Sequence, residues 1–230
     1  MPRAHPCVKY VHSFEELLST PFADGVNALC WERKLPGDFG EVVTHLTGGE
    51  GIKRLDATRL RRLSVGPAGQ LAVAAMLEDL RLLQQHGLAP ELNCITAYPH
   101  DEEPGPVATD VFSFHADSAP IEASTWLCTY HGTPSDGLGN DEAVRKIDVP
   151  GIRAELLHLF GGSEGDDFNE FLRENCFDLH YAPLPAARPW SFGTGHLWRI
   201  ACDWPGSPVP PCIHRAPATE PGKPRLLLIS

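Results

Sequence analysis

The sequence predicts a mainly β fold with helices packed outside it, a β-sandwich or jelly roll behind an N-terminal helical region. Three observations predict it. From about residue 91 the apolar pattern changes from helical spacing to short runs rich in Thr, Val, Trp and Tyr. Pro/Gly-rich connections at 182–189, 204–211 and 217–224 separate the later runs. The 22 prolines and 21 glycines make nearly a fifth of the 230 residues, against roughly 12% in average proteins. Proline removes a ladder donor, so such connections are loops or sheet edges.

The elements follow in order. Ser13-Phe14-Glu15-Glu16 has the form of a capping box and opens a short helix. A second helix is expected over 38–46, stopped by Gly48-Gly49. The strongest helix spans 67–86: Pro67 fits the first turn and Gly87 supplies the left-handed stop. Its apolar stripe is Val73, Met76, Leu77, Leu80 and Leu83. Strands are expected at 92–98, at 111–117 with Phe112 and Phe114 on one face, and at 125–131. Helices return at 152–160, behind Pro150, and at 166–175, joined by the flexible stretch Gly161–Gly165. The last strands are 196–202, 212–216 and 225–230. One domain over 1–230 is the expected organisation, with 1–90 as helical support and 91–230 as the core, carrying a helical insertion at about 139–181. Trp190, Phe192, Trp198 and Trp204 are expected in the core, with Trp190 placed to face a pocket.

Composition narrows the function. The formal net charge is −11, which disfavours a nucleic-acid partner because like charge repels the phosphate backbone. No apolar run is long enough to span a bilayer, and the first residues lack an apolar signal core. Seven cysteines without a secretion signal suggest reduced thiols in the cytoplasm. The basic cluster Lys53, Arg54, Arg59, Arg61 and Arg62 fits a solvated helix face. No pattern sets an oligomeric state.

Two sequence features carry chemistry. His115-Ala116-Asp117 ends an apolar strand, and residues two apart in a strand share a face, so an imidazole and a carboxylate project together. Alone the pattern is weak: 11 histidines and 30 acidic residues give about 1.4 His-x-Asp/Glu cases by chance. A second case, His100-Asp101-Glu102, sits in a Pro/Glu-rich loop and reads as solvated. The other feature is His214-Arg215-Ala216-Pro217, with Arg225 eleven residues after His214. If the two flanking strands pair antiparallel, Arg225 returns beside His214, where a guanidinium can grip a carboxylate through two parallel hydrogen bonds.

The order His115-x-Asp117, His214, Arg225 resembles the signature of the Fe(II)/2-oxoglutarate-dependent dioxygenases, over about residues 92–230. Asn93 and Tyr98 before the His-x-Asp, and the strand 125–132 after it, resemble the same superfamily. Cys128-Thr129-Tyr130-His131-Gly132 and the His-Arg-x-Pro ending are similar to an uncharacterised bacterial domain family. The resemblance implies a double-stranded β-helix, a cupin-like jelly roll. It implies that His115, Asp117 and His214 hold Fe(II), and that 2-oxoglutarate and O2 are co-substrates. Arg225 would pair with the distal carboxylate of 2-oxoglutarate, helped by Tyr98 or Thr129, with Asn93 nearby. The outcome implied is hydroxylation of a small molecule or a side chain, with succinate and CO2 released. Asp117 argues against halogenation, since halogenating relatives lack that carboxylate. Some branches carry Ser two residues after the arginine, where this chain has Leu227.

Two further functions stay open: an Fe(II) oxidase or oxygenase without 2-oxoglutarate, in which Arg225 reads a substrate carboxylate, and a non-enzymic metal-binding jelly-roll protein. Cys202, Cys212 and His214 lack the Cys-x-x-Cys spacing expected of a zinc site. His131, His158, His180 and His196 read as ordinary side chains, one or two of which line a pocket.

Overall fold

The computed structural model describes residues 5–46, 49–99, 105–218, 220 and 222–230. Glu102 and His100 of the second His-x-Glu pattern lie outside the described residues, as does Gly48 of the expected helix stop. The chain is mixed α/β rather than mainly β, with about 30% helix and 26% strand, and one of its two sheets is curled as a half-barrel.

The N-terminal part alternates helix and strand. It holds β1 (Val8–Val11), α1 (Phe14–Ser19), β2 (Ala28–Trp31), α2 (Phe39–Thr44), β3 (Ile52–Leu55), α3 (Ala57–Arg61) and α4 (Pro67–Gln85). Ser13 caps α1 by accepting from the Glu16 N–H, and Glu16 reaches back to the His12 N–H, one residue before the box position. Asp38 and Asp56 cap α2 and α3 in the same way. Pro67 opens α4, and Gly87 follows it with φ of 76°. The helical expectation for 1–90 missed β1, β2 and β3, while Arg59 and Arg61 of the basic cluster do lie on a helix, α3. Four-residue strands leave too short an apolar period to separate from coil. Lys53 and Arg54 of the basic cluster therefore sit on an edge strand, where charge guards the unpaired edge, and not on a helix face.

The rest of the chain supplies β4 (Glu91–Ile95), β5 (Phe114–His115), β6 (Ser124–His131), β7 (Asp136–Leu138), β8 (Ala143–Arg145), α5 (Pro150–Phe160), α6 (Asp166–Glu174), β9 (His180–Pro183), β10 (Trp190–Ser191), β11 (Leu197–Ala201), β12 (Ile213–Arg215) and β13 (Arg225–Ile229). Seven strands pair in the order β1-β2-β11-β6-β13-β4-β3, and six in the order β10-β7-β12-β5-β9-β8. The expected strand at 111–117 shrinks to two residues. The Asp110 carboxylate accepts from the N–H groups of Phe112 and Ser113, and that turn replaces ladder bonds. Phe112 is therefore not on the strand face with Phe114. The expected loop at 182–189 begins with the end of β9, and β4 stops three residues before Tyr98.

Strand alternation divides the seven-stranded sheet into two faces. Trp126, Cys128, Tyr130, Leu226 and Leu228 face the helices, packing against Leu17, Val42, Met76 and Leu83. Each such large buried side chain contributes about 1.5–3 kcal/mol. Leu127, Trp198, Ile200 and Leu227 point the other way, toward the six-stranded sheet, with Trp190 and Phe192 between them. The two sheets thus face each other across an aromatic cluster in which the rings of Trp190, Phe192 and Trp198 lie 4.6–5.1 Å apart, Trp190 stacked on the other two. Gly137 on β7 allows this: a Cβ there would lie 2.2 Å from the Trp190 ring. The helices α5 and α6 fall within the expected insertion and bury Leu156, Phe168 and Leu172 in a small core of their own. Among the described residues, no helix is long and apolar enough to cross a membrane. All seven cysteines are free thiols.

Candidate metal centre

His115 and His214 are direct partners across the antiparallel β5–β12 pair, so their side chains project from the same face. Their ring centroids lie 4.6 Å apart. The Nδ1 of His115 donates to the Ser113 carbonyl at 2.8 Å, and that of His214 to the Cys212 carbonyl at 3.2 Å. A carbonyl only accepts, so each Nδ1 carries a proton, and the neutral form of each ring offers its Nε2 lone pair. Metal-binding histidines are oriented by this kind of bond.

Asp117 lies just past the end of β5 and completes the set. Its Oδ1 is 3.9 Å from the His115 Nε2, and its Oδ2 is 3.7 Å from the His214 Nε2. Ligand atoms about 2.0–2.2 Å from one ion are at most about 4.4 Å apart, so both contacts are short enough for one ion to bridge. The Thr125 hydroxyl, reaching over from β6 on the facing sheet, donates to Asp117 Oδ2. Two imidazoles and one carboxylate form the ligand set of facial-triad iron sites. Among the described residues, this is the group of three His, Cys, Asp or Glu side chains placed to hold a metal. Cys202 is engaged with the Thr125 hydroxyl instead.

Burial and charge shift His115 and Asp117 differently. Burial, and then the nearby His214, lowers the proton affinity of His115, which favours the neutral ring a metal requires. Burial pushes the Asp117 carboxyl up, but His214, the Thr125 hydroxyl and His115 together hold it below the usual carboxylate range. Asp117 remains a third exposed and His214 is nearly buried, so the open side of the triad lies at the carboxylate.

Arg225 begins β13, which pairs with β4 and β6. His214 is on β12, in the other sheet. The hairpin expected to bring Arg225 beside His214 does not form, because the two strands belong to facing sheets. The arginine points inward all the same. It is 5% exposed, and it donates to the hydroxyls of Tyr98 at 2.7 Å, Thr129 at 2.9 Å and Ser135 at 2.8 Å. Its Nε is buried without a partner, and no carboxylate lies within ion-pair distance among the described residues. Burial lowers its proton affinity, opposed by Tyr98. A buried guanidinium lacking a counter-charge costs several kcal/mol unless an anion joins it. Beside it, a cavity of about 20 Å³ touches Ile95, Tyr98, Pro217 and Lys223. That is room for about one water molecule, so a larger anion needs the space between the sheets.

Of the residues singled out in sequence, the structure gathers His115, Asp117 and His214 in one group and Arg225, Tyr98 and Thr129 in another. Asn93 is buried on β4 opposite Leu227, without a hydrogen bond to Arg225. Ser135 and Thr125 were missed: a lone hydroxyl carries no sequence signal of its partner. Ser135 places a hydroxyl on Arg225 from outside β13, where Leu227 has none. Of the four histidines read as ordinary side chains, one or two of them lining a pocket, His180 lies beside the triad. It pairs with His115 across β5–β9, its ring 5.8 Å away, and burial with His115 and Lys146 pushes it down to about 4. No protein-family model, curated protein or solved structure matches the chain.

Proposed function

We propose that this chain is a non-haem Fe(II)- and 2-oxoglutarate-dependent oxygenase, built on a jelly roll of the double-stranded β-helix type. Its reaction is hydroxylation of a small molecule or a side chain, with succinate and CO2 released. One observation carries this: a two-histidine, one-carboxylate triad on one sheet accompanies a buried, uncompensated guanidinium on the sheet that faces it. When bound, Fe(II) and 2-oxoglutarate supply O2 activation coupled to oxidative decarboxylation of the keto acid.

The chain's own residues bind and orient. His115 and His214 present Nε2 lone pairs from rings fixed by the Ser113 and Cys212 carbonyls. Asp117 supplies the anionic ligand, held in place by Thr125. Three protein ligands leave about three positions for small molecules on a six-coordinate ion. Arg225 supplies the charge for a distal carboxylate. The Tyr98, Thr129 and Ser135 hydroxyls accept from Arg225, so their own protons are available to the same carboxylate. In a chain of net charge −11, this arginine is the local exception that an anionic co-substrate requires.

Turnover tests the reading. The Fe(II)-loaded protein under air is expected to convert 2-oxoglutarate to succinate, and Asp117→Ala is expected to stop it. Oxygen consumption without succinate would favour the oxidase that does not use 2-oxoglutarate. A protein inert with iron, oxygen and 2-oxoglutarate would contradict the proposal.

A further inference from the structure

One cross-strand row runs through the centre of the six-stranded sheet. Gly137 pairs with His214, His214 with His115, and His115 with His180. Directly opposed residues of antiparallel strands share a face, so His180 stands beside the triad on the side away from Trp190. It is 4% exposed, and its Nδ1 is buried without a hydrogen-bond partner. Leaving a buried polar atom unpaired costs about 1–3 kcal/mol, and a substrate group that pairs with it removes that cost.

Lys146 reaches the same place. It follows β8 one residue beyond the Arg145–Tyr181 pair, so the register carries it toward His180. Its half-buried ammonium donates to the Ser113 hydroxyl at 2.7 Å, and no carboxylate lies within ion-pair distance of it among the described residues. Its charge is felt by His180. The groups around the pair are His115 and Ser113 from the β5 side and Asp110, whose carboxylate is turned toward the Phe112 and Ser113 N–H groups. Next to the triad, then, lie a compact cation with one hydroxyl partner and an imidazole nitrogen with none.

We infer that Lys146 and His180 form the substrate subsite, and that the substrate is a small molecule bearing a carboxylate. The Lys146 ammonium pairs with that carboxylate, and the His180 ring, carrying its proton on Nδ1, donates to one of its oxygens. The anchored end lies on the β9 side of the triad, and the remainder of the molecule extends over the metal. No covalent step is involved at this subsite. The inference rests on His115, Asp117 and His214 being the metal ligands. It requires a second anion site separate from Arg225, which sits on the other sheet.

The test uses matched probes. The Mn(II)- and 2-oxoglutarate-loaded protein is titrated calorimetrically with a panel of small carboxylic acids, each beside its own primary amide. At least one acid is expected to bind tenfold or more tightly than its amide. Lys146→Met is expected to lose at least tenfold of that affinity, Lys146→Arg to restore it to within about threefold, and His180→Phe to lose about tenfold. Affinity for 2-oxoglutarate, measured separately, stays within about twofold in all three variants. Equal binding of acids and amides by the wild type, full acid affinity in Lys146→Met, or loss of 2-oxoglutarate binding in that variant would each overturn the inference. If wild type binds no 2-oxoglutarate, the co-substrate proposal fails by itself, and the same acid–amide comparison on the Mn(II) protein still decides the subsite.

Discussion

His115 and His214 face each other across one antiparallel strand pair, with ring centroids 4.6 Å apart and each Nδ1 bound to a carbonyl two residues earlier in its own chain segment. The sheet itself therefore pre-orients both Nε2 atoms. His214→Ala or His115→Ala is expected to lower Mn(II) affinity by at least 100-fold while the far-ultraviolet circular dichroism stays that of the wild type. Calorimetry of the two variants checks this, and unchanged affinity would remove the triad from the account.

Thr125 ties the carboxylate of one sheet to the other. Thr125→Val removes a hydroxyl donor that helps keep Asp117 ionised. The expected loss of metal affinity is about tenfold, as for other partners that orient a ligand. The sign of the pH effect follows from the depressed carboxyl. Its contribution to metal binding is present above the folded pKa of Asp117 and is lost as pH falls through it. Thr125→Val raises that pKa, so the acid limb of metal binding moves to higher pH. Titrations of Mn(II) at several pH values would show an unmoved limb if Thr125 were a bystander.

His180 predicts acid sensitivity of the metal-free protein. Its folded pKa is about 4, against an ordinary 6.5. The unfolded chain thus takes up this proton first, so stability is full above about pH 6.5 and falls as pH drops toward 4. The loss attributable to this ring reaches up to about 3 kcal/mol. Urea unfolding of wild type and His180→Gln between pH 7 and 4 checks it: the variant should lose less stability over that interval.

Asp79 anchors the longest helix to the sheet. It is 1% exposed, pairs with both terminal nitrogens of Arg33 and accepts from the Tyr130 hydroxyl at 2.6 Å. Asp79→Ala strands the Arg33 charge in the interior. The expected cost is about 3–5 kcal/mol, read as a lower urea midpoint at unchanged slope.

Much of this organisation was visible in the sequence, for identifiable reasons. Long periodic segments such as α4 and the eight-residue β6 carry their own signal, and capping residues such as Ser13 and Asp38 mark helix starts locally. Strands of two to four residues such as β1, β3, β7 and β10 do not, because their pairing energy comes from distant partners. Order along the chain singled out His115, Asp117, His214 and Arg225, and the first three lie together in the structure. The pairing by which Arg225 enters the interior was not legible, since sheet membership depends on β4 and β6 and not on the turn before it. Nothing near Asp79 in the sequence signals Arg33 and Tyr130, its partners from distant parts of the chain. Thr125, Ser135 and His180 gain meaning only from neighbours at the facing strand or sheet.

An anaerobic titration of the Fe(II) protein with 2-oxoglutarate, followed by visible absorption, shows whether the triad and Arg225 serve one site. A weak charge-transfer band that saturates with 2-oxoglutarate, and that in Arg225→Ala appears only at tenfold or higher concentration, is the predicted result. No band in the wild type, together with binding that ignores Arg225→Ala, would contradict the assignment of the triad and the buried arginine to one iron and 2-oxoglutarate site.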